Sequence, residues 1–245
     1  MAKRPRLPAG HNTLDQILFD QGFGARRECE GLICTGLVSV NGEVVDDPDA
    51  VFPEDRLSLV VDGLPWVTHV KALIMLHKPA GYECSLKPGA WPGVHNLLPP
   101  ALRKRGLQPV GRLDQDTTGL LLMTDDGPLL HQLTSPKKNV PKVYEVTCKH
   151  PVSDDQIKKL LAGVVLDDDP EMVQAHAAER IGADDSCHLR LTLLQGKYHQ
   201  VKRMVAAVSN RVEGLHRSEI GRLTLPEDLP QGQWRWVEDP AIVLP

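Results

Sequence analysis

Apolar and polar positions repeat with two periods along this chain, and the elements follow from which period holds where. Leu14, Ile17 and Leu18 recur at helical spacing behind Thr13, which predicts a short amphipathic helix over 14–21, stopped by Gly22-Phe23-Gly24. Cys29, Leu32 and Ile33 predict the inner face of a second helix, from Ala25 toward Thr35, ending at Gly36 with Arg26 and Arg27 on its outward first turn. From Leu37 to Val45 apolar runs flank Asn41-Gly42, the pattern of a tight hairpin, and 57–61 supplies another strand. Asp62-Gly63-Leu64-Pro65 is a turn cluster. It divides a small domain, 1–62, from a linker, 63–69, and a larger domain, 70–245.

In the larger part, 72–76 and 119–124 are unbroken apolar runs of strand length, read as buried strands. His77-Lys78-Pro79-Ala80-Gly81 is expected to turn away from the first of them, since proline and glycine do not continue a central strand. The stretch 142–148 alternates, with Val143, Glu145 and Thr147 on one face and Tyr144, Val146 and Cys148 on the apolar face. Ser153 and Gln156 have capping-box spacing ahead of Ile157, Leu160 and Leu161, and Gly163 closes that helix. After a strand over 188–194, the stretch 197–208 reads as a helix buried on Val201, Met204, Val205 and Val208. Lys202 then lies on its flank and Arg203 almost opposite the core. Strands and helices mix without a βαβ rhythm. The fold class expected is α+β, with a mixed, mostly antiparallel sheet and a small N-terminal α/β domain.

Composition narrows the classes. Apolar residues make up 41% of 245 and no apolar run reaches the ~18 residues of a membrane helix, so a membrane partner is not expected. Met1 to Gly10 is basic and contains proline but no apolar stretch, which leaves cytoplasm as the default location. Cys29, Cys34, Cys84, Cys148 and Cys187 are scattered and odd in number, which argues against a disulfide framework or a zinc site. The net charge of −4 does not announce a nucleic-acid binder, so any such role rests on local patches. Residues 1–62 hold six Lys or Arg against eleven Asp or Glu, with most of the acids between Glu43 and Asp55 and Lys3, Arg4, Arg6, Arg26 and Arg27 ahead of that stretch, a polarised distribution. Asp167-Asp168-Asp169-Pro170-Glu171 reads as a solvated loop.

The chain lacks Gly-x-Gly-x-x-Gly, a phosphate-binding Gly-Lys-Ser/Thr loop, His-Glu-x-x-His and a Gly-x-Ser-x-Gly elbow. What remains is a site without metal or cofactor, built from a carboxylate, an aromatic hydroxyl and a cation. Asp114 stands in a short polar loop between apolar runs, beside the turn formers Gln115, Asp116, Thr117 and Thr118. On spacing alone the loop reads equally well as a surface turn, Tyr144 as an inward sheet aromatic and Lys202 as a surface lysine.

Two resemblances order these residues. The helix, the turn Gly24-Ala25-Arg26-Arg27, the second helix and the hairpin Val38-Ser39-Val40-Asn41-Gly42 resemble the RNA-binding domain first known from ribosomal small-subunit protein four. Gly111-Arg112-Leu113-Asp114 with Thr118-Gly119-Leu120-Leu121-Leu122, then Lys142-Val143-Tyr144, then Gly196 to Met204 resemble the ordered motifs of the RNA pseudouridine synthases. The domain order, and the run from Lys78-Pro79-Ala80-Gly81 to Leu215-His216-Arg217, are similar to the small-subunit (RsuA) branch of that family. His77 departs from it, since asparagine is more usual before Lys-Pro, and is expected to bear on loop packing.

The resemblance implies an enzyme that isomerises a specific uridine of ribosomal RNA, that of the small subunit, to pseudouridine without cofactor or metal. It implies Asp114 as the essential carboxylate, by attack at C1′ or by assisting loss of a 2′ proton, both routes being open. Lys202 is implied to keep Asp114 ionised, Tyr144 to stack on the uracil, and Arg112 to fill space or grip phosphate as the base flips out. Arg26, Arg27, Lys197, His199, Gln200 and Arg203 are expected RNA contacts, with Arg103-Lys104-Arg105, Lys137-Lys138, Lys142 and Arg217 lining a basic groove. The partner expected is ribosomal RNA or a pre-ribosomal small-subunit particle, bound by a monomer. The competing readings are the same reaction on large-subunit RNA and a non-catalytic ribosome-assembly factor.

Overall fold

The computed structural model describes residues 7–167, 169–183 and 186–244. Lys3, Arg4, Arg6 and Asp168, named above, lie outside them. Two compact units divide the chain: residues up to Ala72 together with Leu98–Leu107, and Leu73–Leu97 together with Gln108 onward.

In the first unit, β1 (His11–Thr13) leads into α1 (Leu14–Asp20), whose Leu14, Ile17 and Leu18 are buried as their spacing predicts. Thr13 stands at the N-cap with extended backbone, yet its hydroxyl accepts nothing from the helix. In α2 (Arg26–Cys34) the cap comes from the other direction: the Glu28 carboxylate accepts from the Ala25 N–H at 2.5 Å. Strands β2 (Val38–Val40) and β3 (Glu43–Val44) form the expected hairpin, with Asn41 and Gly42 both at positive φ, +50° and +92°. After β4 (Val51–Pro53), paired with β1, come β5 (Ser58–Val61) and β6 (Leu64–Val67), giving a sheet of order β3-β2-β5-β6.

Residues expected as a linker therefore carry a strand: β6 pairs with β5 in register Leu59 to Trp66, which buries the indole. The unit is completed by α3 (Pro100–Arg105), contributed from much later in the sequence. Buried Gln21 accepts at Oε1 from Trp66 Nε1 (3.1 Å), the His69 N–H (3.2 Å) and Arg105 Nη1 (3.0 Å). Arg105 also donates to the His69 and Val70 carbonyls, at 2.7 and 3.3 Å, while Lys104 pairs with Glu28 at 3.5 Å. One member of the expected basic cluster, Arg105, is thus turned inward as a tie, while Lys104 stays exposed in its ion pair. Gly22 permits the approach of α3, since a Cβ there would lie 2.2 Å from the Ala101 carbonyl oxygen.

The second unit is built on one nine-stranded sheet. Its strands are β7 (Leu73–Lys78), β8 (Gln108–Pro109), β9 (Thr118–Thr124), β10 (Lys142–Cys148), β13 (Ala177–Ile181), β14 (His188–Leu193), β15 (Val212–Ile220), β16 (Leu223–Thr224) and β17 (Trp234–Trp236). A separate ribbon pairs β11 (Val164–Leu166) with β12 (Asp169–Val173). The main path runs β13-β14-β10-β15-β9-β7-β17, antiparallel except where β15 meets β9. This is the mixed, mostly antiparallel sheet that the pattern predicts. Leu120 and Leu122 of β9 pack with Leu73 and Met75 of β7 on a core face, joined by Leu133 of α4 (Gly127–Thr134). Helix α5 (Asp154–Ala162) carries the predicted capping box, Ser153 accepting from the Gln156 N–H at 3.2 Å and Gln156 accepting in return at 3.1 Å.

Two local readings are corrected. β7 extends through His77 and Lys78, because Lys78 finds carbonyl partners inside the protein. The last helix, α6 (Gln200–Ala207), begins later than expected because Tyr198 and His199 form a turn, with His199 left-handed at φ +49°.

Candidate active site

The site begins at the C-terminal end of β7. Lys78 is fully buried, and its ammonium donates to the carbonyls of Thr117 (2.7 Å), Asp114 (2.9 Å), Pro79 (3.1 Å) and Gln115 (3.2 Å). Burial pushes its pKa below the ordinary lysine value. One cation thereby gathers the carbonyls of an irregular loop and, with the Thr117 N–H on the Asp114 carbonyl at 3.1 Å, fixes the backbone of Asp114.

Helix α6 and the residue at its N-cap each bring a side chain to the Asp114 carboxylate. Lys202 Nζ lies 3.0 Å from Oδ2 and His199 Nε2 lies 3.2 Å from Oδ1. Lys202 also donates to both carboxylate oxygens of Asp116, at 2.7 and 2.9 Å. Burial alone would lower the Lys202 pKa, but the hydrogen bonds to Asp116 and Asp114 outweigh it and hold the ammonium above its usual value. Burial likewise pushes the Asp116 carboxyl up, and Lys202 more than reverses this, leaving it below the usual carboxylate range.

A cavity of about 180 Å³ opens beside Asp114, lined also by Arg112, Lys142, Tyr144, Lys202 and Arg217. Tyr144 is 8% exposed, on the inward face of β10, and its register partner on β15 is Arg217. Arg217 reaches so close to β9 that a Cβ on Gly119 would lie 2.3 Å from the Arg217 carbonyl oxygen. Gly119, at φ +108°, is therefore what lets the two strands meet beneath the cavity. The arrangement offers a carboxylate paired with a lysine ammonium, an aromatic wall, and further cations around the cavity.

Residues 72–207 match the family described as RNA pseudouridylate synthase, and residues 13–51 match the S4 domain. The chain belongs to the RNA pseudouridylate synthases. This synthase is 40% identical over 225 residues to the ribosomal small subunit pseudouridine synthase A of Escherichia coli strain K12, covering 91% of this chain and 94% of that protein. It is 38% identical to the protein of that name from Vibrio vulnificus, covering 94% and 97%, and 36% identical to an uncharacterized RNA pseudouridine synthase, YtzG, of Bacillus subtilis, covering 91% and 93%. A crystal structure of a pseudouridylate synthase superposes with a TM-score of 0.64 at 33% identity, covering 94% of this chain and 98% of that one.

Asp114, Tyr144 and Lys202, the residues singled out for the chemistry, line one cavity in the synthase, and Arg112, Lys197, His199 and Gln200 reach its lining as well. Arg26, Arg27 and Arg112 are exposed, Arg26 donating to Gln16 and lying over the Phe19 ring. The remaining expected RNA contacts turn toward the protein. Gln200 is buried and accepts from the Lys197 N–H at 2.8 Å, and Lys197 is held by Asp169 at 2.5 Å and Glu171 at 3.0 Å. Arg203 donates to the Tyr198 carbonyl at 3.0 Å, and His199 sits on Asp114.

Arg217 is too buried to line an open groove, and His77, as expected of a packing residue, donates from Nδ1 to the Leu229 carbonyl at 2.7 Å. Sequence reasoning missed Lys78 as the loop anchor and Asp116 as a second partner of Lys202. For Lys78 the signal was its place at the end of an apolar run, directly before proline.

Proposed function

We propose that this synthase acts on a uridine of small-subunit ribosomal RNA, with Asp114 as the reacting carboxylate, Lys202 as the cation that keeps it ionised and Tyr144 as the wall against the uracil. The observation that carries this reading is the 3.0 Å pair between Lys202 and Asp114 at the edge of a cavity walled by Tyr144. Cleavage of an N-glycosidic bond develops positive charge on the sugar, and a carboxylate held ionised beside C1′ stabilises or captures it. Relatives named for the small subunit cover nearly the whole chain, which supports that RNA as substrate.

The reaction needs the base outside the helix stack, and a cavity of about 180 Å³ suits a single flipped pyrimidine, since one of ~150 Å³ already admits benzene. The uracil, freed at N1, turns within the cavity and bonds again through C5. Exposed Arg112 at the rim, and Arg26 and Arg27 on α2, suit RNA phosphates. No helix among the described residues is long and apolar enough to cross a membrane. We place the protein in the cytoplasm as a monomer.

Tritium release from small- and large-subunit ribosomal RNA labelled at uridine C5 tests the substrate, with naked RNA and pre-ribosomal particles compared. Release from small-subunit RNA or its particles alone is the expected result. Release only from large-subunit RNA would overturn the substrate assignment, and release from neither would favour an assembly factor over a catalyst.

A further inference from the structure

Asp114 answers the charge that develops on the sugar, but breaking the N-glycosidic bond leaves an equal negative charge on the pyrimidine. The electron pair departs with N1 and spreads over O2 and O4, and a carboxylate repels it. The same cavity holds two further cations, Arg217 and Lys142.

Arg217 is 2% exposed. Its Nε donates to the Leu120 carbonyl at 2.8 Å, which fixes the plane of the guanidinium, while Nη2 is shut from solvent with no hydrogen-bond partner. Its Cζ lies 6.0 Å from the centre of the Tyr144 ring. Lys142 stands two residues before Tyr144 on the same face of β10, and its ammonium donates to the Val140 carbonyl at 2.9 Å. The register of β10 against β15 shifts between Val143 and Tyr144, a bulge that re-aims these side chains where they enter the cavity.

Two like charges lie together in a partly dry cavity, and burial with the neighbouring Arg217 charge lowers Lys142 to about 8. A buried donor without an acceptor is costly, and so is a pair of unneutralised cations. An anion bound between them relieves both.

We propose that Arg217, with Lys142 beside it, is the site that receives the pyrimidine leaving group and stabilises its anion. This rests on the reading that the cavity takes a uridine. The N1–C1′ bond breaks with its electron pair going to N1 and into O2 and O4. The ring then turns, the same electrons form the C5–C1′ bond, the C5 proton leaves and N1 takes a proton, so that atoms and electrons balance without any oxidant. Both cations are donors only, and uracil offers carbonyl acceptors at O2 and O4, whereas cytosine places an amino donor at position 4.

The test compares binding of uracil, neutral at pH 7.5, with that of 5-nitrouracil, a more acidic analogue that is an anion there, using the full-length protein (pH about 7.5, well below the uracil but above the nitrouracil ionisation). Wild type is expected to bind the anion about tenfold or more tightly than uracil, the size expected of charge-assisted hydrogen bonds. Arg217→Met removes that preference, and Arg217→Lys retains part of it. Should Arg217→Met fail to fold, Arg217→Lys and Lys142→Met carry the test through a reduced preference in each. Wild type binding the two pyrimidines alike, or folded variants keeping the full preference, would overturn the proposal. Turnover is scored separately on labelled ribosomal RNA. An anion preference that depends on Arg217 in a protein without turnover supports the anion site and sinks the isomerase reading, whereas Arg217→Met with wild-type turnover sinks the anion site alone.

Discussion

Asp116 and Asp114 share one ammonium, and the nearer partner is the residue outside the Gly-Arg-Leu-Asp motif: Lys202 Nζ lies 2.7 Å from Asp116 Oδ1 and 3.0 Å from Asp114 Oδ2. Lys202 is thus a bridge across the loop, and Asp116 is what holds it where Asp114 can use it. A hydrogen bond to a charged group contributes ~1.5–3 kcal/mol, so Asp116→Asn is expected to slow single-turnover isomerisation about tenfold or more while RNA affinity stays near wild type. A wild-type rate in that variant would show that Lys202 needs no second anchor.

Lys78 is the foundation of the same loop. Removing its ammonium takes a donor from four carbonyls, of which only Asp114 and Gln115 keep a backbone partner, the Thr117 and Gly81 N–H groups, so Lys78→Met is expected to lose about 3 kcal/mol, at roughly 2–4 °C of melting temperature per kcal/mol in a chain of this size. Turnover should fall with it because the Asp114 backbone is no longer fixed. Thermal melting and single-turnover rates check both halves, and a variant that melts like wild type with full turnover would remove Lys78 from this role.

Gly119 tests the meeting of β9 and β15. A methyl group there falls 2.3 Å from the Arg217 carbonyl oxygen and 2.6 Å from its nitrogen, at φ +108°. Backbone on both sides cannot yield, so Gly119→Ala is expected to cost more than ~4 kcal/mol and to leave little folded protein in the soluble fraction. A stable, active Gly119→Ala protein would mean that the two strands can separate without harm to the cavity.

Stability should also carry the signature of Lys142. Burial, and then the Arg217 charge, lowers it from 10.5 to about 8 in the folded chain. Between those values the unfolded chain keeps a proton that the folded chain has released, so this residue makes stability rise with pH through that window. Chemical denaturation of wild type and Lys142→Met from pH about 7.5 to about 10.5 should show wild type gaining on the variant as pH increases. A constant difference would place the Lys142 ammonium in water.

Much of this architecture could be read before any coordinates. The helix spacing of Leu14, Ile17 and Leu18, the Asn41-Gly42 hairpin, the capping box at Ser153 and Gln156 and the inward face of Tyr144 are local patterns, and local patterns are written in neighbouring residues. Lys202 on the flank of its helix followed from the same geometry. What escaped depends on partners far along the chain. Lys197, Arg105 and Arg217 look alike as cations in sequence, yet Asp169 and Glu171 hold the first, the His69 and Val70 carbonyls hold the second, and Leu120 holds the third. Lys78 before proline looked like a turn because the carbonyls that satisfy it lie 36 to 39 residues away, apart from that of Pro79.

The most direct measurement is single-turnover pseudouridine formation by wild type and Asp114→Asn on the same labelled small-subunit RNA, with binding of that RNA measured in parallel. Asp114→Asn is expected to bind the RNA as wild type does, since in the proposed reaction the carboxylate meets the sugar and not the phosphates, and to form no pseudouridine. Pseudouridine formed by Asp114→Asn at an appreciable rate would contradict this, because the carboxylate would then be a turn residue and the chemistry would lie elsewhere.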